Sequence, residues 1–245
     1  MSQLDLACEA EISARHVSFL ETGRARPSRD MVLRLAERLE VPLRDRNVLL
    51  VAAGFAPVFA ERPLDDPALG AAREIVDLVL AGHEPYPAIA VDRHWVLLAA
   101  NRAAGLLTDG VAPELLEPPV NVLRVALHPE GMAARTVNFA EWRGQLLAGL
   151  RRQVELTADP VMAALNEELA HYPAPRQTGP QPPVNPAAVA IPLHLRCGGD
   201  VLSFLSTITV FGTPVDITLS ELAIEAFLPA NRETAEALRR IAAEG

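Results

Sequence analysis

Five arginines, Arg15, Arg24, Arg26, Arg29 and Arg34, fall between Ser13 and Arg34 against two carboxylates, Glu21 and Asp30. Guanidinium groups at this density create a local positive field suited to phosphates and base edges. The alternative is a solvated helix face of ordinary charge. Arg15 closely follows Ser13, a residue type that starts helices. From the first turn of a helix, a guanidinium can reach guanine O6 and N7 as a bidentate pair, worth about 1–3 kcal/mol of discrimination. Little else invites chemistry. His83, His94, His128, His171 and His194 are scattered singly, and there is no HExxH, nucleophile elbow, phosphate-cradling glycine loop or CxxC. Cys8 and Cys197 fall in different expected domains, with no metal-ligand spacing and no reason to pair. The expectation is no enzyme, no metal and no cofactor.

The element that must position Arg15 is Ser2–Gly23, SQLDLACEAEISARHVSFLETG. Ser2 can N-cap a first helix whose apolar face is Leu4, Ala7 and Cys8, so that Cys8 reads as a small core residue. A turn follows around Glu9–Ile12. Ser13 then caps a second helix with Val17 and Leu20 inward, stopping at Gly23. Two short helices about a tight turn form the reading unit of helix-turn-helix proteins, with the second in the major groove.

These residues resemble a family. SQxxLA, IS and VSxLExGR are similar to the helix-turn-helix of phage-repressor and Cro-type (XRE) regulators. Downstream, PYPAIAVDRHWVLLAANRAA, PPVNVLRVALHPEG, VNFAEWR and LSELAIEAFLPA resemble the branch carrying an MmyB-like, PAS-type ligand-binding domain. The resemblance places Ala14, Arg15, Ser18 and Phe19 on the groove-facing side, with Phe19 either against a thymine methyl or buried. Gln3, Ser13, Thr22 and Arg24 are candidates for phosphates. It also places a helix before SQxxLA, whereas this sequence opens at Met1, so the motif reads as N-terminally truncated. Glu21 pairs in the family with a basic residue of the first helix and is here expected to be left free. Glu11 stands where the family usually has glycine; if that position needs positive φ, a side chain there costs roughly 1–2 kcal/mol.

The 245 residues are half hydrophobic, enough for one large or two modest cores. The net charge of −9 argues against general nucleic-acid coating but leaves a small DNA-binding domain open. Every basic residue other than histidine is arginine. There is no signal peptide and no run long enough to span a bilayer, so the expected location is cytoplasmic. The expected fold is an all-α helix-turn-helix domain (1–55), a linker (56–66) and an α+β PAS-like domain (67–245) with a five-stranded antiparallel sheet.

In the first domain, Val32, Leu35, Ala36 and Leu39 form the stripe of a third helix, and Leu43–Ala53 a fourth. In the second, a helix through Ala81 is expected to share the face Ala71, Ile75, Leu78 and Val79. Pro87–Val91 and Trp95–Ala99 read as a hairpin about Asp92-Arg93-His94, and Asn101 as a cap. Helices follow over about 139–156 and 160–171, then a proline-rich loop over 172–186. The last strands are expected at Ala187–Arg196, Asp200–Phe211 and Ile217–Leu228. The last carries the phase Leu222, Ile224, Ala226 and Leu228. Asn231 opens the final helix.

Helices against one sheet face can enclose a cavity. Val91, Trp95, Leu97, Asn101, Leu123, Trp142, Phe204 and Ile224 are the candidate walls and anchors, against the plainer reading of ordinary core. The resemblance implies a small apolar ligand, with fatty-acyl compounds one such class. The reading is a regulator binding operator double-stranded DNA as a homodimer, with no membrane partner. Its alternative is a ligand-binding or dimerisation module with an inactive DNA-binding domain.

Overall fold

The computed structural model describes residues 2–175 and 191–244. The chain divides into two compact units. One comprises residues up to Pro67 together with Phe211–Glu221. The other comprises Ala68–Val210 and Leu222–Gly245.

The first unit is helical. Helices α1 (Gln3–Glu9), α2 (Ala14–Glu21), α3 (Arg29–Arg38) and α4 (Leu43–Ala52) follow in order. Serine caps the first three: Ser2, Ser13 and Ser28 each accept a backbone N–H from their helix's first turn, and Ser2 and Asp5 complete a reciprocal capping box. The core is small and rich in alanine: Ala7, Ala10, Val17, Val32, Ala36 and Leu50 are buried. Leu4 and Cys8, expected inside, are exposed, because the α1 face that packs centres on Ala7 and Ala10. Leu39 is exposed too, at the C-cap of α3.

Residues 56–66 carry no helix or strand, yet they are anchored. Asn47 of α4 donates to Phe59 O and accepts from the N–H groups of Val58 and Phe59. Against this stretch lies the Phe211–Glu221 segment. Arg62 pairs with the buried Asp216 at 3.0 Å, and Ile217 N donates to Ala60 O. Arg44 holds Glu221 through two bonds, of 2.8 and 3.0 Å, and also pairs with Glu61.

The second unit is α+β. A 3-10 turn, Pro67–Leu69, leads into α5 (Gly70–Gly82), followed by β1 (Ala88–Val91) and β2 (Leu97–Ala100). The inward face of α5 is Val76 and Leu80; Ile75 and Leu78 face solvent, so the expected stripe is out of phase. An apolar run interrupted only by Asp77 (VDLVLA) offers two adjacent stripes, and packing selects between them. Next come α6 (Gly105–Thr108), α7 (Val122–Leu127), α8 (Phe139–Thr157) and α9 (Pro160–His171). The strands β3 (Leu193–Cys197) and β4 (Asp200–Val210), the short helix α10 (Ile217–Glu221) of the first unit, β5 (Ala223–Pro229) and α11 (Arg232–Glu244) complete the chain.

The expected strand over Ile217–Leu228 is therefore half helix. Asp216 accepts the Thr218 N–H and starts α10, and extended backbone begins only at Ala223. Of the expected strand Ala187–Arg196, residues 187–190 lie outside the described residues, as does 176–186 of the expected loop. The described strand begins at Leu193.

The sheet order is β2-β1-β5-β4-β3, antiparallel throughout. One face carries Ile89, Val91, Leu193, Leu195, Leu202, Phe204 and Phe227 into a core shared with α6, α7, α8 and α11. A second cluster ties α7 to α8 and α9 through Leu123, Leu127, Phe139, Leu150, Met162, Leu165 and Leu169. No described helix is long and apolar enough to cross a membrane.

Candidate functional site

In the helix pair, Ser13 accepts the His16 N–H at 3.2 Å and fixes the start of α2. Arg15 is exposed on the first turn, and its guanidinium lies over the half-buried Phe19 ring, 5.1 Å from the centroid. This cation–π contact one helical turn apart leaves both side chains on the outer face of α2. Ala14 and Ser18 are half-buried beside them. The Thr22 hydroxyl donates back to Ser18 O at 2.7 Å, leaving its lone pairs for an outside donor. Arg24 is exposed. Neither Arg15, Arg24, Arg26 nor Arg29 forms an ion pair among the described residues.

Two side chains depart from expectation. Glu21 accepts a hydrogen bond from the Gln3 amide, so it has a partner, and Gln3 is a strut between α1 and α2. Arg34 donates to Ala10 O at 3.3 Å, satisfying the end of α1. Glu11, in the turn, has φ of 55°, the left-handed conformation that favours glycine.

The second unit encloses a cavity of about 320 Å³ between the sheet and α6, α7 and α8. Its sheet wall includes Ile89, Leu97, Leu193 and Phe227; its helical wall includes Leu107, Leu123, Val125 and Trp142. Of the expected residues, Leu97, Asn101, Leu123 and Trp142 line it. Val91 and Phe204 are buried in the adjoining core, Phe204 edge-on to Phe227 with centroids 6.5 Å apart. Trp95 sits in the β1–β2 turn and donates through Nε1 to Gln153 at 3.0 Å. Ile224 is buried on the opposite sheet face, because side chains alternate and the cavity phase of β5 is Ala223, Glu225, Phe227.

Asn101 lines the cavity with its hydrogen-bonding capacity spent. Its Oδ1 accepts from Ala88 and Ala104, and its Nδ2 donates to Leu80 O and Tyr86 O. It caps the turn over Arg102–Ala104 and ties it to α5 and β1. Asn121 works similarly, capping α7 through Leu123 N and Arg124 N while donating to His94 O. One turn of α7 outward, Arg124 grips Glu168 of α9 at 2.8 and 2.7 Å. That guanidinium holds the Glu168 carboxyl below its ordinary range. Burial first, then the bond to Glu168, pushes the Tyr172 phenol up to about 12. His128 accepts the Glu130 N–H through Nδ1 and meets Tyr172 edge-on. The pair α7–α9 is therefore a braced wall.

Polar groups in the cavity wall are few. Beside Asn101 stand Thr108, whose hydroxyl donates to Gly105 O, Trp142 and Glu225. Among the described residues no three His, Cys, Asp or Glu side chains gather as metal ligands.

Residues 72–241 match the family model of the MmyB-like transcription regulator ligand binding domain. The chain belongs to this family. Residues 1–45 match the helix-turn-helix model, which covers α1 to the start of α4. No curated protein matches the chain. This MmyB-like chain is thus a DNA-binding transcription regulator with a ligand-binding domain, and the cavity lies within the matched ligand-binding region.

Proposed function

We propose that residues 1–55 read operator DNA as a homodimer and that a small apolar ligand in the cavity sets operator affinity. The observation that supports the ligand half is the cavity itself: about 320 Å³, walled by aliphatic and aromatic side chains, within the size of small-ligand sites. Its β5 wall follows directly on α10, which belongs to the helical unit. A ligand that fits one position of β5 better than another changes the population of states that α10 reports. A switch requires this differential affinity. Fatty-acyl chains suit the apolar walls. In the reading half, Arg15 contacts bases, with Ser18, Phe19 and Ala14 beside it, and Ser13, Thr22 and Arg24 contact phosphates. Gln3 buttresses Glu21 and positions α2.

The test is binding of the full chain to its own promoter fragment across a salt series, with and without decanol. Specific binding survives excess competitor DNA and weakens with salt. Arg15→Ala is expected to cost about 1–3 kcal/mol of specific affinity while leaving non-specific binding nearly unchanged. Equal operator affinity with and without a ligand proven to bind defeats the switch. Absence of specific binding in every condition defeats the reading half and leaves a ligand-binding module.

A further inference from the structure

Glu225 is out of keeping with the cavity that it lines. It lies on the cavity phase of β5, opposite Ile89 on β1 and Ile208 on β4, and is 8% exposed. Among the described residues it is the only one lining the cavity with an ionisable side chain. Its carboxyl takes a hydrogen bond from Ser206, and no Arg or His among the described residues pairs with it. Two of the other polar linings are already spent. Asn101 is saturated by backbone, and Thr108 spends its proton on Gly105 O. Trp142 is 6% exposed, and its indole N–H has no partner among the described residues.

We propose that the cavity selects an alkyl or acyl chain ending in an uncharged oxygen acceptor, such as a carboxamide, ester or alcohol, which takes its hydrogen bond from the protonated carboxyl of Glu225. This rests on the cavity being the ligand site proposed above. Desolvation drives a buried, unpaired carboxyl toward its neutral form, and burial raises the proton affinity of Glu225. A neutral carboxyl donates one O–H and asks for an oxygen in return. A free carboxylate would bring an anion into an apolar wall where no described residue supplies a cation to meet it. An alkylammonium would require Glu225 to ionise and both charges to desolvate, a cost the pair's attraction does not reliably recover. An uncharged head avoids both penalties and accepts from the Glu225 O–H, the Trp142 indole N–H being the wall's other unpartnered donor among the described residues.

The experiment measures binding of decanamide, decanoate and decylamine, with 1-decene as a headless reference, to the full chain near pH 7. Decanamide is expected to bind about tenfold or more tighter than either charged compound. Glu225→Gln keeps an uncharged donor of the same length and is expected to hold the decanamide affinity within about threefold. Glu225→Ala is expected to weaken decanamide about tenfold and to leave decene unchanged. Decanoate binding as tightly as decanamide, or decylamine binding tightest, overturns the proposal while the cavity reading stands. Decene and all three headed compounds failing to bind overturns both. The wild-type series needs no variant and decides the question even if a substitution disturbs folding.

Discussion

Glu11 carries the sharpest local conflict in the reading pair. A glutamate at φ of 55° places Cβ against the following carbonyl, a cost of roughly 1–2 kcal/mol. Glycine removes that cost but gives back about 0.5–1 kcal/mol as extra freedom of the unfolded chain. Glu11→Gly is therefore expected to stabilise the helical unit slightly, by about 0.5–1 kcal/mol, read as a higher melting temperature. It also removes a negative charge from the turn beside the DNA-reading helix, so operator affinity should rise most at low salt. A lower melting temperature would show that the Glu11 side chain contributes more than its backbone strain. Glu225 makes the second residue-scale prediction. Burial raises its carboxyl in the folded chain. A group raised this way contributes stability that is complete below its unfolded value, about 4.3 for glutamate, and lost as pH climbs through the folded value. Glu225→Gln never ionises, so its stability relative to wild type should grow from acid toward alkaline pH. A difference in melting temperature that does not vary with pH excludes this account.

At the scale of elements, Asn101 shows how much one side chain can organise. Four hydrogen bonds join the start of the Arg102–Ala104 turn to α5, to the loop before β1 and to β1 itself. Asn101→Ala strands half-buried backbone groups on three elements and should cost roughly 2–4 kcal/mol, measured as a lower denaturant midpoint with unchanged slope. Loss of less than about 0.5 kcal/mol would mean that water replaces these bonds. Much of this architecture was legible in the sequence because it is local. Ser2, Ser13, Ser28, Asn101 and Asp159 announce their helices by cap chemistry, and the β1–β2 hairpin and β4 by apolar runs between turn residues. What was not legible depends on partners distant in sequence. The inward stripe of α5 is chosen by what it packs on, and its own residues offer two. Apolar periodicity through 217–228 spans α10 and β5, and only the Asp216 cap marks its first half as helix. On β5 the alternation gives two candidate faces. The cavity takes the one carrying Glu225, which a hydrophobic-face argument rejects, and so Ile224 was expected in place of Glu225 and Phe227.

At the scale of the whole chain, the β4–β5 connection matters most. The strands pair to their last residues, Val210 opposite Ala223, and the segment between them, Phe211–Glu221, packs in the helical unit. It is held there at both flanks of α10. Asp216, its side chain 3% exposed, pairs with Arg62 and caps Thr218, whose hydroxyl donates to Arg62 O at 2.6 Å. Glu221 is gripped by Arg44 from α4. Two residues beyond Glu221 the chain is already in β5, and Glu225 stands in the cavity wall. A shift of β5 on ligand binding must therefore be absorbed by a few residues or passed to α10. Arg44→Ala removes the two bonds that Arg44 makes to Glu221 at the end of α10 and leaves the cavity lining untouched. Ligand affinity in the absence of DNA should stay within about twofold of wild type. Allosteric couplings between two sites are typically worth about 5- to 150-fold in affinity. The ligand-induced change in operator affinity should fall from that range to less than about half its wild-type free-energy value. Retention of the full ligand effect, with operator binding intact, would mean that the Arg44–Glu221 contact is not part of the route.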